Sequence, residues 1–377
     1  MTKQSCSSVP IPPSGQQADA VDKLRLLRSR RVGVATYRRL LAEHGSSKAA
    51  LAALPEIARA AGVDDYQVFS AHEAQAELKA GQKLGAQLIV EGTDPYPPSL
   101  NDIKDAPPLF WSIGNPEVLR RPMVAIVGAR NASSLGMRMA KRLAKDLGTA
   151  GFVVVSGLAR GIDRGAHEGA LDTGTIAVMA GGVDQIYPSE HTPLAKEIQI
   201  GGLRIAEMPL GTSPQARHFP ARNRIIAGLA QAIIVVEAAA KSGSLITATN
   251  ALDYGREVMA VPGHPFDARG WGCNTLIRDG AVLVRGIDDV LEVLQQPTQA
   301  EKSQSNVSTN DGSGDRVKSK PMLQQAVLDR LSPTPVCEDQ LLRDVQASTT
   351  EVTPILVDLE LEGKVVRSAG GMVARTY

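Results

Sequence analysis

The feature that most constrains this chain is a series of short apolar runs separated by stretches of helical periodicity. The runs are Met123–Val127, Phe152–Val155, Thr175–Met179, Leu203–Ala206, Ala232–Val236, Glu257–Val261 and Ala281–Val284. Amphipathic or capped helical segments lie between most of them, for example Ser134–Leu147 and Glu190–Ile198. A strand without polar alternation must be covered on both faces. When helices join such strands, the arrangement they imply is a right-handedly wound parallel sheet. The expected fold class is therefore α/β, with a Rossmann-like core over residues 87–294. In such sheets ligands collect outside the carboxyl ends of the strands, near the point where the strand order reverses.

The flanks read differently. Residues 1–20 are Ser/Pro/Gln-rich without a long apolar stretch, which predicts a disordered tail and not a signal peptide. Residues 21–80 show helical spacing, with Leu24, Leu27, Leu40, Leu41, Leu51 and Leu54 as the apolar stripe. Within them, the run Arg31–Leu41 places a Gly turn before a new helix. That suits a helix-hairpin-helix whose backbone N–H groups meet a phosphate, and equally a helical packing domain with no ligand. Between Val21 and Ala60 there are nine Lys/Arg against three Asp/Glu, although the whole chain carries a formal charge of only +1. A local excess of that kind holds polyanions or serves as a plain solvated helical surface. Residues 295–320 are polar and nearly devoid of apolar side chains, so a flexible linker is expected. Residues 321–377 give three helices, Met322–Leu331, Glu338–Val345 and Thr350–Glu362, then a hairpin, Lys364–Arg367 and Met372–Arg375, around Gly370-Gly371. That is the order of a winged helix. Its third helix carries Glu351, Asp358, Glu360 and Glu362 and no Lys or Arg, which favours protein contacts over DNA readout.

Three isolated cysteines, Cys6, Cys273 and Cys337, offer neither a disulfide framework nor zinc-ligand spacing and fit a reducing cytosol. The apolar stretch Leu229–Val236 is too short to cross a bilayer. Aromatic residues make up only 3% of the chain, so a binding face built mainly from base-stacking rings is not expected.

The chemistry concentrates where the strands end. The first run leads into Gly128-Ala-Arg130-Asn131 and the second into Ser156-Gly157-Leu-Ala-Arg160-Gly161-Ile-Asp163, each opening a helix. Backbone N–H groups, a helix N-terminus and an arginine are the ingredients of a phosphate site. Glycines needed only for tight turns are the plainer alternative at either turn alone. Neither turn fits G-x-G-x-x-G, and no GxxxxGK[ST] occurs, so the dinucleotide and P-loop fingerprints are missing. In Phe219-Pro-Ala-Arg222-Asn223-Arg224 the two arginines are spaced to fork onto neighbouring phosphate oxygens, or form a solvated charge pair. After Glu237, the stretch Lys241-Ser242-Gly243-Ser244 forms a third anion-accepting edge, with Ser244 placed to cap the next helix. His264, with no nucleophile motif beside it, reads as structural.

These runs, together with Ser242-Gly243-Ser244-Leu-Ile-Thr247 and Ala260-Val-Pro262-Gly263, resemble the DprA/Smf family of DNA-processing proteins across residues 87–294, in order and at comparable spacing. The flanks resemble members with an N-terminal sterile-alpha-motif-like domain and a C-terminal winged helix. The resemblance implies a cytoplasmic protein that binds single-stranded DNA in a positively charged pocket of its Rossmann-like domain and dimerises through that domain. It also implies that the protein helps load the RecA recombinase onto incoming DNA in natural transformation; the missing fingerprints, acid/base pair, metal spacing and long apolar stretch predict no cofactor, metal, catalysis or membrane insertion. By position, Gly128, Arg130, Ser156, Gly157, Arg160, Arg222, Asn223, Lys241, Ser242 and Gly243 correspond to the family's phosphate-facing motifs. Arg224 and Ser244 join them on the residue reading above. Where arginine is common before Ser-Gly-Ser, this chain has Lys241, a point charge in place of a fork.

Two rivals stand beside this reading. A phosphoribohydrolase-like enzyme of nucleotide metabolism occupies the same fold branch but uses a Gly-Gly-x-Gly-Thr loop with a nearby Glu. Here only Glu237 and Asp163 offer acids at the sheet edge, with no assigned acid/base pair. A duplex-binding transcription factor acting through the winged helix is disfavoured by the acidic third helix.

Overall fold

A computed structural model of the 377-residue chain describes residues 14–295, 320–331, 336–345, 347, 349–368 and 372–376. The expected disordered tail falls largely, the linker almost wholly, and the Gly370-Gly371 turn entirely outside the described residues. The chain divides into two compact units, Met1–Glu301 and Lys302–Tyr377. Among the described residues no helix is long and apolar enough to cross a membrane.

The first unit opens with four helices, α1 (Ser14–Arg28), α2 (Val34–His44), α3 (Ser47–Ala60) and α4 (Ala71–Lys83). Gly33, in extended conformation, is the N-cap of α2, and Gly45, at φ 74°, closes its C-terminus. Ser46 caps α3, while Ser70 and Glu73 form a reciprocal capping box on α4. Of the leucine stripe, Leu40, Leu51 and Leu54 enter a small core with Leu26 and Tyr37, which the stripe left out; Leu27 and Leu41 pack against it half-buried, and Leu24 packs against Ala74, Val90 and Leu109 at the edge of the sheet.

A nine-stranded sheet follows. Its strands are β1 (Gln87–Val90), β2 (Leu109–Gly114), β3 (Met123–Val127), β4 (Val153–Ser156), β5 (Thr175–Val178), β6 (Leu203–Ala206), β7 (Ala232–Val235), β8 (Glu257–Ala260) and β9 (Val282–Leu283), ordered β1-β2-β6-β5-β4-β3-β7-β8-β9. The helices between them are α5 (Ser134–Thr149), α6 (Ile162–Ala170), α7 (Thr192–Gly201), α8 (His218–Leu229), α9 (Gly243–Asp253), α10 (Trp271–Arg278) and α11 (Ile287–Gln295). The seven strands from β6 to β9 in this order pair parallel, as the apolar runs predict. β1 and β2 correct the expectation of a wholly parallel sheet, because β2 pairs antiparallel with both β6 and β1. This hairpin extends one edge, and the four-helix segment lies against it.

Alternate strand residues supply two apolar layers, as a period of two requires. Val155, Val178, Ile233 and Val258 face α8, α9 and α10 through Ile226, Ala248 and Cys273. Val124, Val154, Ile234 and Met259 face α5, α6 and α11 through Leu143, Ala166 and Val290. The order reverses between β3 and β7, and α8 lies in the crossover from β6 to β7. The switch point therefore sits beside the turns that the sequence singled out.

The second unit has α12 (Lys320–Arg330), β10 (Val336–Cys337), α13 (Glu338–Val345), α14 (Thr349–Leu361), β11 (Val365–Ser368) and β12 (Met372–Arg375). Its sheet runs β10-β12-β11 over a core including Leu323, Leu341, Ile355, Leu359 and Val373. This is a winged helix, with β10 as a short third strand that the sequence reading left out.

Candidate functional site

The carboxyl ends of β3, β4 and β5, with the first turn of α8, enclose a recess lined by Arg130, Gly157, Ala159, Arg160, Tyr187, Phe219 and Arg222. Its floor is the Ser156–Asp163 turn, which is hydrogen-bonded from all sides. The Asp163 carboxylate accepts from the N–H groups of Gly157 (3.1 Å) and Ala159 (3.4 Å). His167 Nε2 accepts from Leu158 N–H (3.3 Å), and its Nδ1 lies 2.8 Å from Thr175 Oγ1, which donates to Val154 O. His167 is therefore the neutral Nδ1–H tautomer, and burial pulls its pKa down to about 3. His191 Nδ1 donates to Leu158 O (2.9 Å) from the other side. Leu158 itself sits at φ 57° and Gly161 at φ 72°. Any side chain at Gly161 would collide with the backbone of Ala129 and Arg130, so the first two turns approach too closely for anything but glycine there.

This wiring corrects how the second turn was expected to work. Its N–H groups at Gly157, Leu158 and Ala159 face Asp163 and His167, leaving none of the three aimed at a ligand. Ser156 is buried and donates to Ile126 O at 2.6 Å. Gly128 is needed for close packing, since a Cβ there would press on Ile162 and Glu237 O.

Arg222 is only 6% exposed. It donates through Nη1 to Gly157 O (2.5 Å) and Val178 O (2.7 Å), and through Nε to Asn223 Oδ1 (3.1 Å). A Cβ on Gly157 would overlap its guanidinium. Burial lowers the Arg222 pKa to about 10, with the Asp163 charge opposing, so it remains a cation at neutral pH. Burial raises the Asp163 pKa, opposed first by Arg222 and then by the N–H groups it accepts from. Arg224 turns away from the recess and places Nη2 2.6 Å from both Glu207 oxygens. The expected pair of phosphate forks is thus replaced by one buried cation under the recess and one ion pair outside it. The carbonyls and carboxylates responsible lie far off in sequence.

The outward cations are Arg130, Arg160 and Lys241. Arg130 is exposed, with its guanidinium carbon 4.9 Å from the centroid of the Phe219 ring. Arg160 is exposed and forms a two-point ion pair with Glu190 (2.7 and 2.8 Å), which holds the Glu190 carboxyl below its usual range. Lys241 is exposed beyond β7. Beside it Ser242, and not Ser244, is the N-cap of α9, accepting from Ser244 N–H (3.4 Å), while Ser244 is buried with its Oγ 2.7 Å from that of Ser242. Asn223 Nδ2 donates to Gly243 O (3.2 Å), so Asn223 ties α8 to the start of α9.

Two rings that the sequence reading did not place in the site complete the recess. Phe219 and Tyr187 meet edge to face, with centroids 5.9 Å apart, and Tyr187 is 54% exposed. Phe219 had a signal, lying in the same run as Arg222, but Tyr187 had none. Glu237, a candidate acid in the sequence, instead accepts from Ser133 N–H (2.9 Å) and Ser133 Oγ (2.5 Å) at the start of α5. That helix N-terminus thus already faces a carboxylate. In the helical segment, Arg28 and Arg38 pair with Glu77 and Glu91, whereas Arg30 and Arg31 stand exposed at the α1–α2 turn.

Comparison with known proteins agrees on both fold and family. A model described as DNA recombination-mediator protein A matches residues 87–295, a DprA-like N-terminal HHH domain matches 17–80, and a DprA winged helix domain matches 317–371. The chain is 42% identical to the DNA processing protein DprA of Streptococcus pneumoniae over 228 residues, 60% of this chain and 78% of that one. It is 37% identical to the protein Smf of Escherichia coli over 290 residues, 76% of each. The X-ray structure of the S. pneumoniae DNA processing protein A superposes with a TM-score of 0.58 at 36% identity, covering 69% of this chain and 98% of that one. A structure of DNA processing protein A from Helicobacter pylori, described for its single-stranded DNA binding mode, superposes at 0.51 with 29% identity, covering 55% and 95%.

Proposed function

Because the chain belongs to the DNA recombination-mediator protein A family, we propose that it binds single-stranded DNA along the strand-end edge of its Rossmann-like domain, as a mediator and not as an enzyme. The observation that carries this reading is the recess itself. A buried cation, Arg222, underlies it, two rings wall it, and Arg130 and Arg160 stand at its mouth. Cations at the rim attract phosphates, and rings beside them accept a base, which is the combination single-strand binders use. Of the proposed contacts, Gly128, Ser156, Gly157, Asn223 and Ser244 shape the edge, while Arg130, Arg160, Lys241, Ser242 and Gly243 face solvent or its margin.

The two candidate acids support the absence of catalysis, since Asp163 is bound to amides and Glu237 to Ser133. We read residues 21–80 as the helical domain, 87–294 as the DNA-binding domain, 295–320 as a linker and 321–377 as the winged helix. Loading of the RecA recombinase, dimerisation through the Rossmann-like domain and a cytoplasmic location complete the proposal. Titration of a fluorescent oligo-dT against a duplex of equal length tests the DNA reading, and tighter single-strand binding is expected. Equal or tighter duplex binding overturns it. Incubation with nucleoside monophosphates tests the enzyme reading, since release of free base would establish turnover.

A further inference from the structure

The helices on one face of the sheet, α8, α9 and α10, begin in a row along the same strand-end edge, because β7 and β8 follow β3 in the sheet. Phe219 stands at the first of these starts and Lys241 just before the second. At the third, the β8–α10 loop displays an aromatic cluster outside the recess. Phe266 is 94% exposed, the most exposed large apolar side chain among the described residues, and Trp271 is 53% exposed. The His264 ring lies 5.7 Å from that of Phe266.

The loop is built, not slack. Asn274 accepts from Gly263 N–H (3.0 Å) and donates to Gly263 O (2.9 Å), and Trp271 Nε1 donates to Pro265 O (2.9 Å). Ala238 N–H donates to Arg269 O, and Gly272 N–H to Ala238 O, so the loop is tied to the segment leading to Lys241. A fixed loop that leaves two large rings in water, in a chain with five Phe and two Trp, keeps them available for a planar partner.

Resting on the single-stranded DNA reading of the recess, we propose that Phe266 and Trp271 form a second base-stacking platform, so that one DNA strand runs from the recess past Lys241 to this loop. From β4 to β8 is three strand spacings, about 14 Å. At the 3.4 Å rise of stacked bases that is about four nucleotides, fewer when the strand is stretched. The intervening surface suits a strand, since it carries the exposed Lys241 ammonium. A second copy of this chain is the competing occupant, and the oligomeric state of the variants tells the two apart.

The test is a ladder of oligo-dT lengths titrated against wild type, Phe266→Ala, Phe266→Tyr and Arg130→Ala. Phe266→Ala should leave the shortest bound oligonucleotide unaffected and weaken longer ones about tenfold, the equivalent of one stacked base. Its salt dependence should not change, and Phe266→Tyr should restore affinity. Trp111 is 1% exposed, so quenching of tryptophan fluorescence by long but not short oligonucleotides reports Trp271 directly. Equal affinity of Phe266→Ala and wild type at every length, with no quenching, overturns the platform. A shift of oligomeric state in Phe266→Ala at unchanged DNA affinity also overturns it and assigns the loop to a second copy. If Arg130→Ala alone weakens every length, the recess reading stands without the platform. If wild type binds no single strand, both fall.

Discussion

At the scale of the residue, the structure divides the arginines by what surrounds them. Arg222 satisfies two buried carbonyls, and removing it leaves Gly157 O and Val178 O without partners, each at about 1–3 kcal/mol. Arg222→Ala is therefore expected to lower Tm markedly, whereas Arg130→Ala should leave Tm unchanged; thermal melts of the two decide. Arg160 must exchange Glu190 for a phosphate, and an exposed pair is worth about 0–1 kcal/mol. Glu190→Gln should accordingly tighten single-strand binding by up to about fivefold; weaker binding would place Glu190 in the contact itself. His167 gives a pH signature. Its folded pKa of about 3 lies below the ordinary 6.5, so the unfolded chain takes up the extra proton as pH falls. Stability from this group is complete above about pH 6.5 and is lost progressively down to about pH 3, roughly 2 kcal/mol by pH 5. Asp163, raised by burial, acts with the opposite sign, so the comparison that isolates His167 is with His167→Gln, which keeps one donor and one acceptor. That variant should show a flatter fall of Tm between pH 7.5 and 5.

At the scale of the element, the strand runs were legible because burial on both faces leaves an unbroken apolar signature. The glycine turns after β3 and β4 were legible because close approach at Gly128, Gly157 and Gly161 leaves no room for a side chain. What the sequence withheld is pairing at a distance. Nothing local to Arg224 announces Glu207, nothing near Arg160 announces Glu190, and the turn around Leu158 shows its N–H partners only once α6 brings His167 and Asp163 beneath it. The β1–β2 hairpin was likewise hidden, because its direction is set by β6, whose Leu203 pairs with Gly114 from far along the chain. Composition does not place the rings. A 3% aromatic content is an average, and it does not say that Tyr187, Phe219, Phe266 and Trp271 gather on one edge of the sheet. At this scale Glu237 is a test of structure against chemistry. Glu237→Ala should destabilise the start of α5 by about 1 kcal/mol, as the loss of a helix cap does. It should leave single-strand affinity within a few-fold in a binding titration.

At the scale of the whole molecule, the contacts proposed for DNA all lie in residues 87–294, within the first compact unit. A chain ending after Gln295 should then bind single-stranded DNA within a few-fold of the full protein. Loss of binding would move the site to the winged helix. The central claim is that rim cations hold the strand by its phosphates, above a recess whose own arginine serves the fold. The most direct measurement is the slope of log K against log salt for an oligo-dT with wild type and Arg130→Ala. Each phosphate neutralised on a single strand contributes about −0.7 to that slope. Arg130→Ala is predicted to weaken binding to dT, dA and dC alike and to make the slope shallower by about 0.7. An unchanged slope with altered preference among the three homopolymers would show Arg130 reading bases, and would contradict the phosphate grip.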